Sequence, residues 1–98
     1  MSVYFVSRHP GAKQWAEEEG LVVDAVVDHL DPAAVQTGDT IIGSLPINLA
    51  AQICACGCRY LHLCLVVPRE LRGCELTTEQ MRLCGARLEE YKVGAKNR

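Results

Sequence analysis

The sequence predicts a compact α/β domain, a Rossmann-like three-layer sandwich of about four mostly parallel strands with flanking helices. Three observations carry that prediction. Short apolar runs rich in β-branched and aromatic residues alternate with stretches whose apolar residues recur at helical spacing, and the connections between them are short. The chain has 98 residues, which suits one domain with a single core. No G-x-G-x-x-G follows the first apolar run, so the dinucleotide fingerprint is absent.

Val3 to Val6 has no polar alternation, as expected of a strand buried on both faces. Pro10 suits the first turn of a helix, where its missing N–H costs nothing. Ala12, Trp15, Ala16 and Leu21 follow helical spacing, Lys13 and Glu17 form an i,i+4 pair on the other face, and Gly20 ends the helix. Asp24 to Leu30 reads as a second strand centred on Ala25, Val26 and Val27. Asp31 caps a short helical turn begun by Pro32, and Gln36 to Asp39 is a loop of turn residues. Thr40 to Gly43 is a short third strand. Pro46 marks the next helix, with Ile47, Ala50, Ala51 and Cys54 as its apolar stripe and Gly57 as its end. Arg59 to Val67 is the fourth strand, apolar at Leu61, Leu63 and Leu65 on one side and at Tyr60, Cys64 and Val66 on the other. The polar connection Pro68 to Cys74 reads as a mobile lid over the strand ends. Thr77 and Gln80 match a capping box, with Leu76 and Met81 as its hydrophobic staple. Met81, Cys84, Leu88 and Tyr91 then continue a helical repeat into a basic, frayed tail from Gly94 to Arg98.

Composition narrows the partners. With 49% apolar and 22% charged residues the chain is an ordinary folded protein rather than a disordered one. A net charge of −2 argues against non-specific duplex nucleic acid binding, which rests on many cations neutralising phosphates. No apolar run reaches membrane-spanning length and Met1-Ser2 leads into the first strand without a signal-peptide pattern, so no membrane partner and a cytoplasmic location are expected. In that reducing setting the six cysteines are read as thiols, mostly small buried hydrophobes. Cys54, Cys56 and Cys58 lack the two-residue gaps that let thiolates converge on zinc, so no metal site is assigned. No cofactor is expected either.

The chemistry concentrates at three strand ends that a parallel sheet points the same way: Ser7-Arg8-His9, His29-Leu30-Asp31 and Ser44 to Asn48. Arg8 can fork onto a phosphate, and its alternative is a surface ion pair. His9 can pass a proton to a leaving oxygen, and its alternative is a helix-capping histidine. Ser7, Gly11, Ser44 and Asn48 are candidate ligand-binding positions beside free helix amides, although capping alone also explains Ser44. Asp28, His29 and Asp31 contain metal-ligating types, but Asp31-Pro32 is an ordinary helix start. His62 reads as a satisfied core histidine and Trp15 as core rather than a base-stacking platform.

Tyr4 to Ala12, Trp15-Ala16, His29 to Pro32, Gly38-Asp39, Ile42 to Pro46, Asn48 to Ala51 and Arg59 to Leu63, in this order, resemble a family of small CRISPR-associated accessory proteins found with type III systems. The resemblance spans nearly the whole chain. It implies a ring nuclease, a compact homodimeric relative of CARF-type domains that degrades cyclic tetra-adenylate and so switches the response off. Only Ser7-Arg8-His9 and Gly43 to Pro46 carry over as site segments; Cys54, Cys56 and Cys58 are outside the pattern. On that reading Arg8 and His9 are catalytic, metal-free attack by a ribose 2′-OH is the reaction, and a four-fold ring lies on the dimer axis. A non-catalytic module that sequesters the ring, a metal-dependent phosphoesterase using Asp28, His29 and Asp31, and a subunit with no nucleotide site are the competing expectations.

Overall fold

In a computed structural model, which describes residues 1–96, the chain forms one five-stranded sheet between two helical layers. The elements are β1 (Val3–Val6), α1 (Pro10–Glu18), β2 (Ala25–Val27), β3 (Thr40–Gly43), α2 (Ile47–Ala55), β4 (Arg59–Cys64), α3 (Thr78–Leu83) and β5 (Arg87–Tyr91). Short 3₁₀ turns at Pro32–Ala34 and Arg69–Leu71 interrupt two of the connections. The strand order is β2-β1-β3-β4-β5, with β1 to β4 parallel and β5 antiparallel to β4. This is the expected Rossmann-like sandwich with one additional edge strand.

The two sheet faces carry two cores. Phe5, Ile42 and Leu63 pack with Ala12, Trp15 and Ala16 of α1 and Met81 of α3, while Ile41 and Tyr60 pack with Ala50 and Ile53 of α2 on the other face. Burying Phe5, Ile41 and Ile53 completely contributes about 1.5–3 kcal/mol each. Trp15 lies in the core, 2% exposed, as its place in the helical stripe requires. In α2 the buried positions are Ala50 and Ile53, whereas Ile47, predicted within the stripe, is 77% exposed.

The principal correction concerns the C-terminal third. The expected continuous helix stops at Leu83, and Arg87–Tyr91 is β5. The capping box starts α3 as predicted, with Thr77 Oγ1 accepting from Gln80 N at 3.1 Å and Gln80 Oε1 accepting from Thr77 N at 2.9 Å. Gly85 then adopts φ +75°, a left-handed conformation that stops the helix, and the chain turns back along β4. Leu88 and Tyr91 are an odd number of residues apart, so they fall on opposite sheet faces: Leu88 pairs with Leu63 and Tyr91 with Tyr60.

Smaller differences have local causes. The second strand is confined to Ala25–Val27 and the fourth ends at Cys64, since pairing stops where β1 turns away at Ser7 and where β5 begins at Arg87. Lys13 pairs with Asp28 at 3.6 Å rather than with Glu17. Asp31 caps its turn as expected, Oδ1 accepting from Ala33 N at 2.9 Å. Of the six cysteines only Cys58 and Cys84 are buried; Cys54 and Cys64 are half-buried and Cys56 and Cys74 exposed, all as free thiols. The predicted tail runs into residues 97 and 98, which lie outside the described residues; Gly94 to Lys96 carry no regular structure. No helix among the described residues is long and apolar enough to cross a membrane.

Candidate functional site

The sheet reverses its strand order between β1 and β3, because β1 connects outward to β2 while the next strand returns to its other side. The carboxyl ends of the strands at such a point diverge and leave a crevice. Here the crevice is a cleft of about 990 Å³. Ser7, Arg8 and His9 enter it from β1, Asp28 and His29 from β2, and Ser44, Leu45 and Pro46 from β3. Leu49, Leu63, Leu65 and Met81 contribute apolar wall, and Leu71 to Leu76 closes one side. The Pro68–Cys74 connection read as a lid therefore does line the strand ends, and it brings Arg72 with it.

The backbone shapes the Ser7–His9 corner. Ser7 N donates to Val27 O at 3.0 Å, which prolongs the β1–β2 ladder by one bond. Ser7 Oγ accepts from His9 N at 3.1 Å, a local turn that directs the chain into Pro10 and α1. His9 occupies the N-cap position of α1 without a side-chain capping bond, so its imidazole is not used as a cap. The ion pairs among the described residues use Lys13, Arg59, Arg82 and Arg87. The Arg8 guanidinium thus has no carboxylate partner among the described residues, where the alternative of a structural ion pair does not describe it.

A second corner is built around Tyr60, 2% exposed. Its hydroxyl donates to Gly43 O at 3.2 Å, accepts from Leu45 N at 2.9 Å, and contacts His62 Nδ1. A phenol has one proton and two acceptor sites, so satisfying all three partners requires His62 to carry its proton on Nδ1. Burial pushes the Tyr60 phenol up, which keeps that proton in place. Ser44 donates to Leu63 O at 3.1 Å. Its proton is committed, so toward a ligand Ser44 offers only acceptor lone pairs. α2 begins after Pro46 with no side-chain cap, and its first-turn amides remain available at this end of the cleft.

The other predicted positions separate. Asn48 is exposed and does not line the cleft wall. Gly11 also lies off the wall and has a packing role: a Cβ there would meet Leu76 O at 1.9 Å, and Thr78 Oγ1 donates to Gly11 O at 3.2 Å. Asp28 and His29 line the cleft, while Asp31 is turned to its own cap. Among the described residues no three metal-ligating side chains converge.

A family model with the description "Putative CRISPR-associated protein (Cas_VVA1548)" matches residues 4–94. The chain belongs to this family. The matched span contains every cleft residue named above. No curated protein and no solved structure matches this CRISPR-associated chain.

Two contributors to the cleft of this CRISPR-associated protein are only partly legible in the sequence, since Arg72 lies in the connection read as a lid over the strand ends and Tyr60 in the fourth strand, but neither role is written locally. Tyr60 reads as one apolar residue in a run, and only the crossing of β4 beneath the β3–α2 loop turns it into the loop's anchor. Arg72 stands out as a charge in the connecting loop, but its placement beside the Arg8 end of the sheet depends on how that loop folds back.

Proposed function

We propose that this chain is a ring nuclease, a compact CARF-related enzyme that binds cyclic oligoadenylate, cyclic tetra-adenylate first, and cleaves it without a metal, switching off type III CRISPR signalling. The observation that carries the reading is Arg8, in no ion pair among the described residues, beside His9 at the carboxyl end of an interior strand, in a cleft with apolar walls that also receives Arg72. The CRISPR-associated family supplies the context in which such a messenger is met.

RNA brings its own nucleophile. A cleft that holds a ribose 2′-OH in line with the adjacent 3′-phosphate needs only positioning, charge stabilisation and proton transfer to cleave it. Arg8 faces the charge that develops on the phosphorane-like oxygens, and His9 moves a proton. Ser7 and the α2 amides hold the remaining phosphate oxygens, with Ser44 accepting from a ribose hydroxyl. Leu45, Leu49 and Leu63 offer apolar wall to the bases. Two copies around a two-fold axis present equivalent sites to a four-fold ring, which explains how so short a chain encloses it.

One observation favours a non-catalytic module that sequesters the messenger: neither Arg8 nor His9 is held in place by a side-chain partner, as preorganised catalysis prefers. Incubation with cyclic oligoadenylates of several ring sizes, in excess chelator, followed by chromatography separates the two. A nuclease yields linear products ending in 2′,3′-cyclic phosphate. A ring that is retained intact over hours supports sequestration, and a ring that is not bound at all removes both readings.

A further inference from the structure

The chain has three histidines. His62 is engaged with the Tyr60 hydroxyl and packs edge-on against Tyr60 and Tyr91. His9 and His29 are both exposed and both line the cleft. We propose that His29 is a catalytic residue, the second member of an acid–base pair with His9; the proposal rests on the nuclease reading of this cleft.

The register of β1 and β2 sets the two at the ends of neighbouring strands. Val6 pairs with Val27, and Ser7 N bonds Val27 O, so the two chains leave the sheet side by side before reaching His9 and His29. Among the described residues neither imidazole makes a hydrogen bond or ion pair. His9 makes no capping bond, and the carboxylate next to His29, Asp28, is drawn to Lys13 at 3.6 Å. The other charged groups lining the cleft are Arg8, Arg72 and Glu75. The two arginines stay protonated throughout and can serve neither as base nor as acid.

The reaction requires both. As the 2′-oxygen attacks phosphorus and the P–O2′ bond forms, one histidine takes the proton from the 2′-OH. As the P–O5′ bond breaks, the other gives a proton to the leaving 5′-oxygen. The products are a 2′,3′-cyclic phosphate and a 5′-OH, and the two imidazoles, left with exchanged protonation states, reset through solvent. With a single histidine the second transfer falls to water or to the Asp28 or Glu75 carboxylate, of which Asp28 is engaged by Lys13.

The test compares the wild-type chain with His9→Ala and His29→Ala on cyclic tetra-adenylate, and on the same ring with sulfur replacing the bridging 5′-oxygens. A thiolate leaves without protonation, so loss of the acid is forgiven on the sulfur ring and loss of the base is not. On the oxygen ring His29→Ala should lower kcat by about a hundredfold or more, with KM changed by less than about threefold. On the sulfur ring one of the two variants should recover and the other stay slow. His29→Gln, which keeps a polar side chain of similar reach, repeats the measurement against a folding defect in the alanine variant. Wild-type rates in both His29 variants, or identical behaviour of His9→Ala and His29→Ala on the sulfur ring, would overturn the pair while leaving the nuclease reading intact. A wild-type chain that leaves both rings uncut removes that reading, and the pair with it.

Discussion

Arg8 is the residue on which the proposed chemistry leans most, because it is the cleft cation at the end of an interior strand and no carboxylate among the described residues pairs with it. Arg8→Ala should therefore lower the rate of ring cleavage by about a hundredfold or more, as for other donors aimed at developing charge, and weaken binding as well. His9→Ala should spare binding and reduce turnover, a split that steady-state kinetics with a binding assay resolves. Asp39 shows a residue whose charge serves the fold instead. It is 4% exposed, and its two oxygens accept from Ser2 N and Gln36 N, each at 2.9 Å. Those backbone bonds hold its carboxyl below the usual carboxylate range. A depressed pKa contributes stability that is present above the unfolded value, roughly pH 4, and is lost as pH falls through the folded value. Asp39→Asn keeps one acceptor and loses the other, so it should melt below wild type at neutral pH. The gap should narrow below about pH 4; thermal melts across that range check it, and a gap that stays constant would contradict it.

At the scale of elements, α3 is the informative case. It is short, and its start rests on the reciprocal bonds between Thr77 and Gln80. Thr77→Ala should cost about 1 kcal/mol, read as a lower denaturant midpoint with unchanged slope. Leu76 and Met81 hold this start against α1, and Gly11 is where the two segments touch most closely. The loop that carries Arg72 is joined directly to this start, so α3 sets one wall of the cleft as well as closing a core. β5 covers the free edge of β4, and Arg59 anchors it with paired bonds to Glu90 at 3.1 and 3.0 Å. On the same strand Tyr91 donates to Glu89, which pushes the Tyr91 phenol up to about 12 and the carboxylate down.

For the whole molecule the governing fact is that a cleft of about 990 Å³ opens at the carboxyl ends of the strands and is walled by one copy of the chain. The ligand proposed above, a cyclic tetranucleotide, has a symmetry that matches two copies facing each other, each supplying one wall. The chain should therefore run as a homodimer in light scattering at micromolar concentration, with the clefts joined. A monomer both with and without cyclic tetra-adenylate would count against the enclosure argument. Ile47 at the start of α2 and Val66 just after β4 are uncovered apolar side chains, 77% and 75% exposed.

The alternation of apolar runs and helical stripes was enough to determine the sandwich, since β1, α1, β3 and the start of α3 are specified by residues adjacent in sequence: Val3 to Val6, Pro10, Thr40 to Gly43, and Thr77 with Gln80. The placing of Ser7, Arg8 and His9 at a strand end that lines the cleft was also legible, because a strand followed by a proline-started helix fixes where the intervening residues go. Local signals fail where long-range pairing wins. Leu88 and Tyr91 fit a helical repeat, yet Gly85 breaks the helix and the open edge of β4 captures Arg87–Tyr91 by backbone hydrogen bonds. Ser44 looked like a cap or a phosphate donor until Leu63 O took its proton, and Tyr60 looked apolar until it met Gly43 and Leu45. His29 was legible as part of one of three strand ends pointing the same way, and Arg72 as part of the lid connection, but the cleft they share with Arg8 depends on strand register and loop path. Those are contacts between residues far apart in the chain, which no periodicity records and only the tertiary structure decides.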